Sequence, residues 1–207
     1  MTAPAWINSD QRYTLNPPAE VRKLGDLPRS ADNLVQLADA LHFPDADRYK
    51  PGTGGGATWC NLATIDFCSI ARAPIPRTLK GAYLRANDLA DLLAAGQIDG
   101  WTQTGTIASA AAVRTLADEG RPQIAVWKNT HPALGADGGP LHDSAGNVVL
   151  QAGHIMPVIA APKGAKLPPS YSGVFVSGAG AICVHRVPIE RCFGSHTSEV
   201  KFYAYRQ

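Results

Sequence analysis

Apolar residues recur at helical spacing through the first half of the chain and at strand spacing through the second. Leu34, Leu37, Ala38 and Leu41 share one helical face behind Ser30, a residue type that caps helix N-termini. A helix is therefore expected over 30–41, ended by Pro44. A second is expected to start after Thr58 and run to about Ala71, stopped by Pro74 and Pro76, with Ala63, Phe67, Ile70 and Ala71 on the face that also carries Cys60. A third covers 87–95, with Leu89, Leu92 and Leu93 inward and Gly96 as its stop. A fourth, rich in alanine, covers about 106–119, just before Gly120. The period then changes. Strands are expected over 123–127, 153–161, 171–177, 181–187 and 201–206, with a hairpin turn at 143–147 leading into a short strand at 148–150.

Helices first and strands after predict an α+β fold with an antiparallel sheet. Residues 1–29, with Pro17, Pro18 and Pro28, read as an irregular arm, and 30–207 as a single domain. Pro51 to Gly56 holds four glycines in six residues and reads as a loop. No Gly-Lys-Ser/Thr follows it, so it is not a phosphate loop.

Composition narrows the function classes. The 207 residues are 45% hydrophobic and 17% charged, which suits one well-cored domain. A net charge of +2 is too weak to argue for nucleic acid. No apolar run reaches the roughly 18 residues of a membrane span. Residues 1–10 lack a basic region followed by an apolar core, so synthesis in the cytoplasm without a secretory signal is expected. Four cysteines, Cys60, Cys68, Cys183 and Cys192, are too few for a disulfide scaffold.

Cys60 is the sharpest chemical feature. A thiol is a good nucleophile as its thiolate, and a helix N-terminus favours that form. Backbone N–H groups at the same helix end can also hold an oxyanion. A buried, inert thiol is the competing reading. A cysteine nucleophile needs a base. Among six histidines, His154 opens an apolar strand, 155–159, after a turn-rich stretch, and can face a cleft there. His42 ends a helix, and His131 and His142 lie in loops.

Thr58-Trp59-Cys60-Asn61 followed by Gly153-His154-Ile155 resembles the paired motifs of NlpC/P60-like and CHAP-like cysteine peptidoglycan hydrolases of phage and prophage lysins. Lys80-Gly-Ala-Tyr-Leu-Arg-Ala-Asn87 and Asp88 resemble the segment after the nucleophile helix in such lysins. The resemblance implies a papain-like fold, with the nucleophile helix packed on a C-terminal antiparallel sheet. It implies Cys60 as nucleophile and His154 as base, with no cofactor and no metal. Tyr49, eleven residues before Cys60, resembles the upstream tyrosine that helps form the oxyanion site. Trp59 and Asn61 flank the nucleophile and would line the cleft. The family places a polar residue on the following strand to orient the base. Here that strand ends Ser177-Gly-Ala-Gly180, which leaves Ser177, a water or a backbone group as the third member. Asp66, on the opposite helix face, reads as a surface or outer-layer residue.

The expected function is hydrolysis of an amide bond in peptidoglycan stem peptides. The setting is a lysin or a delivered antibacterial effector with an immunity partner, acting in the periplasm or cell wall. Two alternatives stay open: a non-catalytic wall-binding or virion structural protein of the same fold, and a cysteine amidohydrolase acting on another amide. Cys183, His185, Cys192 and His196 form a further set, with zinc, a Cys183–Cys192 disulfide, or unrelated buried side chains as its readings.

Overall fold

The computed structural model describes residues 6–7, 15–49, 59–179 and 184–206. Its helices are α1 (Ala19–Asp26), α2 (Ala31–Ala40), α3 (Cys60–Ile70), α4 (Ala86–Ala94), α5 (Ala110–Asp118) and the single turn α6 (Glu190–Phe193). The strands are β1 (Thr78–Leu79), β2 (Ala82–Tyr83), β3 (Trp101–Thr106), β4 (Gln123–Trp127), β5 (His154–Ile159), β6 (Phe175–Gly178), β7 (Val184–Pro188) and β8 (Lys201–Tyr205). β1 and β2 form a small hairpin. The other six make one antiparallel sheet in the order β3-β8-β4-β5-β6-β7. The class is α+β. No helix among the described residues is long and apolar enough to cross a membrane.

Period-two alternation divides the sheet between two apolar layers. Ile124, Val126, Ile155, Ile159, Phe175 and Tyr203 face α2, α3 and α4. Ala125, Trp127, Met156, Val158, Val176 and Phe202 face α5 and α6, meeting Val113 and Phe193. α3 is covered nearly all round, since only Asn61 and Ser69 escape full burial. A helix buried on every side has no polar face, as its sequence requires. Ser30 caps α2 as expected, its Oγ accepting the Asn33 N–H at 3.2 Å. Gly120 ends α5 at φ +73°, packed so closely on the Ser30 backbone that no Cβ would fit.

Several expectations need correction. The arm at 1–29 is not wholly irregular, because it contains α1. Pro17 and Pro18 precede this helix rather than interrupt it, and Val21 packs into the first layer. β3 was not anticipated: Trp-Thr-Gln-Thr-Gly-Thr has one large apolar residue, and it suffices because β3 is an edge strand paired only with β8. α5 starts at Ala110, after a 3-10 turn at Ile107–Ser109. Residues 148–150 form no strand. His142↔Val148 and Pro132↔Leu150 are isolated bridges within an exposed arm between β4 and β5. The expected strands at 171–177 and 181–187 shrink to β6 and β7, and 181–183 lie outside the described residues. The loop read at 51–56 also lies outside them.

Candidate active site

Cys60 is the first residue of α3 and is 1% exposed. The helix is fixed against the sheet one turn later, where Thr64 Oγ1 donates to the Ile155 carbonyl at 3.1 Å. Among the described residues, the β5–β6 ladder pairs Val158 with Val176 and Ile159 with Phe175, and the Ile155 carbonyl is met by the Thr64 hydroxyl. The first turn of α3 is tied again by Asn61, whose Nδ2 donates to the Leu84 carbonyl at 2.7 Å. Leu84 leads into α4, and Asn87 in its first turn acts as a clamp. Its Nδ2 donates to the Asn129 and Gln151 carbonyls at 3.1 and 2.9 Å, and its Oδ1 accepts the Asn129 N–H at 3.0 Å. Gly153 lies against this clamp: an added Cβ would collide with Asn87 Oδ1 and reach the Trp127 carbonyl at 2.5 Å. A side chain is therefore excluded just before His154. A continuous polar bracket thus connects the first turn of α3 to the start of β5.

The two side chains do not share a sheet face. Ile155 and Ile159 point toward α3, whereas His154, Met156 and Val158 alternate to the other side. The His154 ring lies 4.9 Å from that of Phe193, tilted by 51°. Burial lowers its pKa to about 4, so the imidazole is neutral at pH 7. The expected nucleophile and base are therefore placed on different sides of the sheet's apolar layers. Both sit at the bracketed end of the α3/β5 pair, with the imidazole turned toward Phe193.

The other expected site residues are placed as follows. Ser177 does not orient His154; its Oγ accepts the Arg186 N–H at 2.8 Å and bridges β6 to β7. Tyr49 does not reach the start of α3. It closes a 3-10 turn, is fully buried, and its hydroxyl donates to Asp66 Oδ2 at 3.2 Å. Asp66 lies six residues beyond Cys60, about 9 Å along the helix. Asn61 serves the bracket rather than an open cleft. Trp59 packs partly buried on the first layer, its indole N–H buried without a partner among the described residues.

Sequence reasoning missed two groups. Asp66, read as a surface residue, is 2% exposed. It accepts from Arg48 Nε at 2.7 Å and from Arg77 at 2.9 Å. Burial pushes its carboxyl up while both guanidiniums pull it down. The available signal was the helix itself: where nearly every other position is apolar or small, a lone aspartate is buried too. The second group is Trp127, His196 and Glu199. The Trp127 and His196 rings stack at 4.0 Å, and Glu199 accepts from Trp127 Nε1 at 3.1 Å and pairs with His196 Nδ1 at 3.0 Å. His196 is thus engaged away from His185, which pairs with Asp39 at 3.0 Å. Cys183, and with it the zinc and disulfide readings, lies outside the described residues. No protein-family model, curated protein or solved structure matches the chain.

Proposed function

We propose that this protein is a cysteine hydrolase of the papain-like, NlpC/P60 kind that cleaves an amide bond in peptidoglycan stem peptides, as a phage lysin or a delivered antibacterial effector. One observation carries the reading. Cys60 opens α3, and the first turn of that helix is tied through Asn61, Leu84 and Asn87 to the residue before His154. The start of a helix offers N–H groups without intrahelical partners. These favour a thiolate and can hold the oxygen of a tetrahedral intermediate.

In the proposed reaction, the neutral His154 imidazole turns away from Phe193 and takes the Cys60 proton. The thiolate attacks the amide carbonyl, and the carbonyl oxygen takes the negative charge beside the Cys60 N–H. Collapse breaks the C–N bond as His154 protonates the leaving amine. Water then attacks the thioester, His154 takes its proton, and the carboxylic acid leaves with the thiol restored. One observation favours the rival reading, a non-catalytic wall-binding or virion protein: the His154 ring faces Phe193 rather than α3.

Digestion of purified Gram-negative peptidoglycan, read by mass spectrometry, separates the two. The wild type should release fragments whose masses name the scissile bond, and Cys60→Ala should slow release by at least about 10³-fold. Iodoacetamide should also label Cys60 faster than Cys68 or Cys192, whose thiols burial pushes up, Cys192 to about 12. Fragments from both proteins in equal yield would remove Cys60 from the mechanism. A folded wild type that releases none favours the rival.

A further inference from the structure

A cleft of about 260 Å³ lies between α4 and the ends of β4 and β8. It begins one turn of α4, about 5 Å, beyond the Asn87 clamp, because Asp91 on its wall follows Asn87 by four residues. Lys128 and Thr130 on the opposite wall flank Asn129, the clamp's partner. The cleft is thus placed beside the bracketed end of the sheet and is separate from Cys60 and His154.

Its charges are unevenly committed. Lys128 Nζ is held by both Asp91 carboxylate oxygens at 2.6 and 2.9 Å. Glu199 is held by Trp127 and His196. Lys201, exposed at the start of β8, has no side-chain partner among the described residues. Ala90, Ala94, Val126 and Tyr203 add apolar lining to the same cleft. A cation without a side-chain partner among the described residues, in a cleft that apolar groups also line, suits a carboxylate carried on a short aliphatic body. The carboxylates of Asp91 and Glu199 disfavour a dianionic phosphate at the same rim. The volume accommodates one or two amino-acid residues, well short of a folded partner.

We infer that this cleft is a substrate subsite that binds a free carboxylate of a short acidic peptide, with Lys201 as the group that recognises it. The inference rests on the proposed hydrolase reading for the identity of the peptide, a peptidoglycan stem. It does not rest on the chemistry at Cys60. Lys201 contributes affinity and selects carboxylate over amide, and Lys128 adds to the field while remaining paired with Asp91.

The test is calorimetric titration of the full chain carrying Cys60→Ala with a synthetic stem tetrapeptide, as the free acid and with every carboxylate amidated. The free acid should bind about 10-fold more tightly. Adding Lys201→Gln should erase that preference, and high salt should weaken it. Equal binding of the two peptides, no binding of either, or a preference unchanged by Lys201→Gln would overturn the subsite. Wall digestion by the wild type reports separately on the hydrolase. A Lys201-dependent preference without digestion would leave the subsite standing and sink the chemistry; digestion with no preference would do the reverse.

Discussion

The two layers on either side of the sheet settle buried polarity by opposite means. Under α3, burial pushes the Asp66 carboxyl up, and Arg48 and Arg77 meet it and pull it back down, with the Tyr49 hydroxyl as a further donor. Under α6, His154 has no charged partner among the described residues, and burial lowers its pKa to about 4. The first solution answers burial with cationic and hydrogen-bonding partners. The second discharges the group. The first layer is therefore intolerant of losing a partner. The second is sensitive to protons, because acid forces a charge into an apolar layer.

The largest expected effect comes from breaking the paired side. Asp66→Asn removes the carboxylate shared by Arg48 and Arg77 while keeping the shape. It should destabilise the fold by about 3–5 kcal/mol, the range for breaking a buried ion pair. Urea unfolding checks this. A cost below about 1 kcal/mol, the worth of an exposed pair, would show that the two layers do not differ in this way.

The discharged side should respond to pH instead. The folded pKa of His154, about 4, lies below its ordinary value of 6.5, so the unfolded chain binds the proton more tightly. Its neutral form is fully compatible with the fold above pH 6.5. As pH falls from 6.5 toward 4, the unfolded state gains protons first and stability drops. The shift corresponds to a loss on the order of 3 kcal/mol across that window. In His154→Phe the same window should be flatter by that amount. Parallel pH profiles for the two proteins would mean that His154 is not held neutral by burial.

Much of the fold was legible wherever one residue decides the local structure. Ser30 as a cap, Gly96 and Gly120 as stops, and the apolar runs of β4, β5 and β8 all act through neighbours in sequence. β3 was not legible, because an edge strand with one large apolar residue depends on β8, almost 100 residues away. α1 was hidden by prolines that lie just before it. Cys60 and His154 were found as residue types in a recognisable order. The facing of His154 was not, since it follows from the register of β5 against β4, with His154 opposite Trp127. Tyr49 illustrates the same limit: a resemblance placed it beside the start of α3, and the buried Asp66 holds its hydroxyl farther down the helix.

The smallest expected effect tests the residue read as a third catalytic member. Ser177 sits at the irregularity of β6, between Val176 and Gly178, where the pairing with β7 shifts register. A shifted ladder leaves a backbone donor without its ordinary strand partner, and the Ser177 hydroxyl accepts the Arg186 N–H there. Ser177→Ala should therefore cost about 1 kcal/mol of stability, the net worth of one hydrogen bond to a half-buried donor. The rate of peptidoglycan digestion per folded molecule, and its pH profile, should not change. A loss of activity in a variant of unchanged stability would reverse this assignment. It would mean that the hydroxyl turns toward His154 during the reaction and that the two layers communicate through β6.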